Sequence, residues 1–299
     1  MQKIAIIDLG TNTFNLLVAQ KEDETFNVLH TSKQEVKLGK GGISKNEISP
    51  EAFQRGMLAL EKHLQKITSE KCTVVKAFAT SAIRSASNGS EFVQAVKEKL
   101  GINIEVIDGL REAELIYKGV KSCIFLDSTS LIMDIGGGST EFIIGNQKEI
   151  IWSKSYNLGV SRLLENFNPS DPILPNQINE IEYFLFKKLY ELFEACKAHK
   201  PHQLIGSSGS FETFASMLNF PEDIQNGHVY NLEKLKALNE SLLKSTLAER
   251  LSTPGMIPTR ADMIVLSSIL VQLVLNNTGI SKLMLSTAAL KEGVLSEIT

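Results

Sequence analysis

The chain begins with a short apolar run, Gln2 to Asp8, that reads as a buried strand. A tight DLGTN turn follows, then a second apolar run, Thr13 to Ala19, that returns as another strand. A third strand is expected in Thr25 to Lys37, and GKGGIS at 39–44 is a loop. Ser49 before Pro50 marks a helix start, a capping hydroxyl followed by a first-turn proline. Behind it Phe53, Met57, Leu60, Leu64 and Ile67 recur at spacings of four and three, which places them on one helical face. Strand and helix then alternate: a strand over 72–80, a helix over Phe92 to Leu100, a strand over 102–107 and a helix from Leu110. Beyond it come a strand at Ser130 to Ile135, a meander through STEFIIG and KEIIWSK, and helices around 175–198 and 231–248. A strand at His202 to Ile205, an apolar helix over Ala261 to Asn276 and a last strand at 282–286 complete an α/β pattern.

The pattern repeats. IDLGTNTFNLLV (7–18) lies over MDIGGGSTEFII (133–144), so that Asp8 meets Asp134, Gly10 meets Gly136 and Thr13 meets Ser139. The shared Asp-x-Gly, hydroxyl and apolar tail favour a duplication over two hairpins alike by chance. It implies two domains, drawn at 1–122 and 123–289.

Each repeated segment is a strand ending in Asp, a glycine and hydroxyl turn, and a return strand. Glycine there costs conformational entropy, so a turn that keeps it has a use for backbone that no side chain crowds. Bare N–H groups in such a turn bind phosphate oxygens. The candidates are Gly10, Thr11, Asn12 and Thr13 in one turn, and Gly136, Gly137, Gly138, Ser139 and Thr140 in the other. Asp8 and Asp134 at the strand ends can hold Mg²⁺ directly or through its waters. A single DxG hairpin is more often a plain turn; two of them facing each other can grip a polyphosphate. GGGST lacks the P-loop lysine, and GGGSTE does not fit GxGxxG leading into a helix.

Further segments point the same way. ATSAIRSASNG (79–89) carries Thr80, Ser81 and Arg84, an arginine able to hold phosphate bidentately. GSSGSFET (206–213) offers Ser208 and Gly209 as a third anion cradle, although a helix cap at Ser210 explains it equally well. Glu112 falls in the first turn of the helix from Leu110, where the helix dipole favours the carboxylate a general base requires.

Composition narrows the chemistry. The chain has 299 residues, 43% hydrophobic and 22% charged, with a net charge of −3, which excludes sequence-wide nucleic-acid binding. Five histidines form no metal signature, and three scattered cysteines suit neither a zinc site nor a disulfide framework. The start MQKIAIIDLG is neither a signal peptide nor a membrane span, so no membrane partner and a cytoplasmic location are expected.

In order along nearly the whole chain, AIIDLGTNTFNLLVA, ATSAIRSASNG, EVIDGLREAELIYKGV, DIGGGSTEF, NLGVSRL, IGSSGSFETFA, PGMIPTRADMI and LMLSTAALKEGVL resemble exopolyphosphatases and guanosine pentaphosphate phosphohydrolases. DLGTN alone would indicate only the wider actin-like ATPase superfamily. The resemblance implies two duplicated ribonuclease-H-like domains around a central cleft, with a last helix at about 290–299 packed back on the first. It also implies a short form without the C-terminal helical domain of longer relatives, and a homodimer. The implied activity is release of terminal phosphate from polyphosphate or guanosine pentaphosphate, with Mg²⁺ or Mn²⁺. Glu112 would be the base, Asp134, Glu141 and Asp8 would surround the metal, and Arg84 would hold phosphate. Three positions depart from the family pattern: Arg111-Glu112-Ala113-Glu114 stands for the usual Glu-Glu-Ala-Arg, Asn15 for a larger basic residue, and Lys291 for arginine. Two other readings remain open: a superfamily kinase with the same phosphate turns, and a non-catalytic polyphosphate or alarmone sensor.

Overall fold

A computed structural model describes residues 2–23, 25–221 and 226–298. The first half contains β1 (Lys3–Leu9), β2 (Thr13–Glu22), β3 (Thr25–Glu35), α1 (Pro50–Ser69), β4 (Val74–Ala79), α2 (Ser81–Ser85), α3 (Gly89–Leu100), β5 (Ile104–Val106) and α4 (Gly109–Cys123). Its five strands lie in the order β3-β2-β1-β4-β5, the first three antiparallel and the last two parallel to β1.

The second half runs through β6 (Ser130–Ile135), β7 (Thr140–Gly145), β8 (Ile150–Tyr156), α5 (Val160–Phe167), α6 (Pro175–Lys188), α7 (Tyr190–His199), β9 (Gln203–Ser207) and α8 (Gly209–Met217). It continues with β10 (His228–Val229), α9 (Leu232–Lys244), α10 (Leu247–Ser252), α11 (Ile264–Thr278), β11 (Leu283–Leu285) and α12 (Leu290–Ser296). Its sheet reads β8-β7-β6-β9-β11, the order of the first, with β10 added on the β11 edge. The duplication is thus physical: two ribonuclease-H-like sheets, each opening on an antiparallel hairpin in the same register. Asp8 pairs with Asn15 in one hairpin and Asp134 with Glu141 in the other. The turns also close alike, with Gly10 N–H donating to the Thr13 carbonyl at 3.1 Å and Gly136 N–H to the Ser139 carbonyl at 3.0 Å.

β1 is buried on both faces, and its alternating side chains serve two cores. Ala5, Ile7 and Leu9 pack with α1 and α3 residues such as Leu60 and Phe92. Ile4 and Ile6 face the other way, into a shared core with Ile132, Ile143 and Ile205 of the second sheet. α4 and α12 fill that shared core with Leu115, Ile116, Val120, Leu290 and Val294. α12 lies directly on α4 because both helices carry glycine at the crossing. A Cβ at Gly119 would come within 1.9 Å of the Ala289 carbonyl, and one at Gly293 within 1.8 Å of the Leu115 carbonyl. Ion pairs fasten the crossing: Arg111 grips Glu297 through both terminal nitrogens at 2.8 and 2.5 Å, and Lys118 reaches Glu297 at 2.7 Å.

Several expected elements change at their edges. The helix over 175–198 is two helices broken at Leu189, and α5, unforeseen, follows directly on NLG. The apolar helix begins at Ile264, three residues late, because Pro258–Arg260 first form a 3-10 turn. The last helix ends at Ser296, and Thr299 lies outside the described residues. Among the described residues no helix is long and apolar enough to cross a membrane.

Gly293→Ala should cost about 2–3 kcal/mol, since overpacking against a rigid backbone cannot be relieved by a rotamer change. Urea unfolding checks it, and an unchanged midpoint would show that the crossing is looser than drawn.

Candidate active site

The two Asp-x-Gly hairpins face each other across a cleft with about 840 Å³ of open volume, lined by Gly10, Thr11, Asn12 and Thr13 from one side and Gly136, Gly137, Gly138 and Ser139 from the other. None of these glycines has the positive φ that would demand glycine. Gly137 and Gly138 are glycine because the turns nearly touch, whereas a Cβ at Gly10 or Gly136 would crowd the Thr13 or Ser139 carbonyl of its own turn, at 3.0 and 2.9 Å. A Cβ at Gly137 would lie 2.7 Å from Asn12 Nδ2, and one at Gly138 would lie 2.6 Å from Ser81 Oγ and 2.7 Å from Thr11 Oγ1. Four backbone N–H groups in these turns, those of Thr11, Asn12, Gly137 and Gly138, donate to no acceptor among the described residues. The Ser81 hydroxyl, buried on the cleft wall, is also without a partner. Unpaired buried donors are costly, and five in one cleft form a site that awaits oxygen ligands.

The floor is acidic. Asp8, Glu112 and Asp134 line it, Glu141 lies beside Asp134 without lining the cleft, and all four are buried or nearly so. Asp134 accepts from Ser207 Oγ at 2.6 Å, Asp8 from Asn15 Nδ2 at 3.0 Å, Glu141 from Ser155 Oγ at 2.7 Å, and Glu112 from Arg84 Nη1 at 2.8 Å. Asp108 caps α4 by accepting the Arg111 N–H at 2.8 Å, which sets Glu112 in the first helical turn. Burial and then the Asp134 charge push Glu141 up to about 7 against the pull of Ser139, Ser155 and Arg84, and burial pushes Asp8 up to about 6 against the pull of Lys291. Burial and the Glu141 charge raise Glu112 well above the ordinary carboxylate value, overriding both Arg84 and the helix terminus that was expected to favour the charged form. Its basicity is thereby increased.

Not every candidate reaches the cleft. Ser208 and Gly209 line it, but Ser208 spends its hydroxyl on the Ile135 carbonyl at 2.9 Å. Ser210 is no cap: its hydroxyl lies 2.9 Å from that of Ser267. Thr140 is turned inward and donates to the Leu158 carbonyl at 3.1 Å. Asn12 uses its side chain to join the halves, accepting from Ser161 Oγ at 2.7 Å. Arg84 lies behind Glu112, not on the cleft wall.

The profile of the Ppx/GppA phosphatase family matches residues 17–299. The chain belongs to that family. It is 29% identical over 295 residues to a Haemophilus influenzae protein provisionally named an exopolyphosphatase, covering 99% of this chain and 91% of that protein. Among solved structures, it superposes on an exopolyphosphatase from Cytophaga hutchinsonii with a TM-score of 0.96 and 39% identity, covering 99% of this chain and 97% of that one. A Ppx/GppA family member from Aquifex aeolicus matches with a TM-score of 0.82 and 26% identity over 99% and 97% of the two chains. The fold is therefore the actin-like one, and the enzyme class is phosphatase.

Motif reading left three cations of this Ppx/GppA site without a role. Lys33, Arg260 and Lys291 all line the cleft. Lys33 pairs with Glu212 at 2.6 Å across the mouth. Arg260 is half-buried and makes no side-chain hydrogen bond among the described residues. Lys291 is drawn in from α12; burial works against its charge, but Glu292, Asp8 and Glu212 outweigh it and raise its pKa. Arg260 and Lys291 stand in the motifs PTRADMI and AALKEGV, but only the fold shows that this 3-10 turn and the start of α12 meet.

With a chelator present, stability should fall as pH rises from about 4 through 7, because the raised folded-state values of Asp8 and Glu141 penalise ionisation in the native state. Glu141→Gln should raise Tm at pH 8 and leave it nearly unchanged at pH 4.5. Equal effects at both pH values would mean that Glu141 is not held protonated by the fold.

Proposed function

We propose that this chain is an exopolyphosphatase that removes the terminal phosphate from inorganic polyphosphate, with guanosine pentaphosphate as a second phosphoanhydride substrate. The carrying observation is the convergence of free N–H donors from both turns on one cleft whose floor holds Glu112. The names of the Haemophilus and Cytophaga relatives support the substrate class.

The terminal phosphate would lie between the turns, its oxygens taking the N–H groups of Thr11, Asn12, Gly137 and Gly138 and the Ser81 hydroxyl. These donors are fixed before substrate arrives, so little reorganisation is needed as charge shifts onto the leaving oxygen. Glu112, held by Arg84, takes a proton from water as the water oxygen bonds to phosphorus. The P–O bond to the penultimate phosphate breaks, leaving orthophosphate and a chain one unit shorter. Lys291 and Arg260 balance the charge of the following phosphates.

The acidic floor also fits a divalent cation. Four buried carboxylates, each with its pKa raised first by burial, outnumber the neighbouring cations Arg84 and Lys291. Among the described residues no group of three or more histidine, cysteine or carboxylate side chains is arranged to hold a metal ion, so a Mg²⁺ here would take much of its shell from water and substrate phosphate. Asp8, Asp134 and Glu141 would hold it, and it would neutralise phosphate charge.

Against the sensor reading, Arg111 and Glu114 are engaged with each other at 2.8 Å and with α12, outside the cleft, and leave Glu112 undisturbed. Orthophosphate release from long polyphosphate, with Mg²⁺ and with EDTA, tests the reading; no release under either condition overturns it. Glu112→Gln should lower kcat by about 10²–10⁴-fold, the range for loss of a general base. Mg²⁺ should also raise the Tm of the wild type more at pH 8 than at pH 5.

A further inference from the structure

Arg84 and Ser155 both touch the acidic floor, yet neither lines the main cleft. They line a second opening, together with Leu110, Lys154 and Asn157, where the first turn of α4 meets the end of β8. It has about 750 Å³ of open volume. No residue lines both spaces. The partition between them is thin at the Arg84–Glu112 pair, 2.8 Å, whose members line one space each, and beside it Ser155 bonds Glu141 at 2.7 Å. Gly109 keeps it thin, since a Cβ there would lie 2.4 Å from that of Ser155.

This matters because of the order of events in the reaction proposed above, on which the inference rests. The chain occupies the main cleft with its terminal phosphate innermost, against Glu112. Once cut, orthophosphate lies between the floor and the remaining chain, and the way it came is filled. Leaving by the cleft would require the chain to let go after every cleavage. We propose that the second opening is the exit for orthophosphate, reached when Arg84 swings from Glu112 and carries the anion outward. Lys154 stands at its outer rim, paired with Glu191. Arginine suits the task because its guanidinium pairs with carboxylate and phosphate alike; the Arg84 nitrogen that meets Glu112 also donates to the Ile107 carbonyl at 2.9 Å, a bond the swing must break. Arg84 is partly exposed, at 21% of its side chain, so it has room to turn.

The test separates cleavage from release. Asn157→Trp and Leu110→Trp fill the opening from exposed positions, and Lys154→Glu reverses the charge at its rim. Cleaved phosphate is measured by acid quench, and free phosphate by a fluorescent phosphate-binding protein, on long polyphosphate. In the wild type the two signals should coincide. In the filled variants, cleavage in the first turnover should stay within about twofold of wild type, while free phosphate lags and the steady-state rate falls about tenfold, as when product release becomes limiting. Lys154→Glu should show the same lag, and Lys154→Arg should not. Release in step with cleavage in all variants overturns the exit, as does an equal fall in both signals. A wild type that cleaves no polyphosphate fails at the acid-quench step, which overturns the substrate reading itself and the exit with it.

Discussion

Four carboxylates share one buried floor, and much of the surrounding architecture can be understood as what makes that tolerable. Asp8 and Asp134 end equivalent strands, Glu141 pairs across from Asp134, and Glu112 comes from the helix beneath. All are desolvated; the Asp134 charge raises Asp8 and Glu141, and the Glu141 and Asp8 charges raise Glu112. A buried charge without a partner would cost several kcal/mol, so the fold surrounds these with Asn15, Ser207, Ser155 and Arg84. In the first hairpin the position equivalent to Glu141 is Asn15, which donates to Asp8 in place of adding a fifth negative charge. The two hairpins have the same geometry but have divided the labour.

The helix crossing beneath this floor ties Glu112 to Lys291. α4 presents the first, α12 the second, and the glycine contact between the helices with the Arg111–Glu297 grip fixes their separation. The exchanged signs at 111 and 114 therefore belong to a clasp between helices. Arg111 bonds Glu114 and Glu297, Lys118 bonds the same two, and none of the four lines the cleft.

Much of this was legible in the sequence because it is local. Strand-turn-strand signals, the Ser49–Pro50 start and the spacing from Phe53 to Ile67 depend on neighbours in the chain, and the structure reproduces them. The repeat showed two matching turns, and the turns do face each other. What could not be read were facts of assembly. Gly137 and Gly138 looked like freedom for the backbone; they are clearance between two loops brought together by the fold. The side-chain direction of Thr140 and the placement of Arg84 behind Glu112 depend on which sheet face packs inward. Lys33, Arg260 and Lys291 converge from β3, a 3-10 turn and the start of α12, and no spacing along the chain encodes that meeting.

Because α12 completes the core shared by both sheets, the halves do not mature one after the other. β1, β2 and α4 leave the ribosome early with Ile4, Ile6, Leu17 and Ile116 facing a space that only later residues fill. A nascent chain that has made every strand of the second sheet still lacks Leu290, Val294 and the ammonium of Lys291. N-terminal units ordinarily settle first during synthesis. Here the unit that settles first remains open on one side, so the cleft is completed last, by the segment that arrives last.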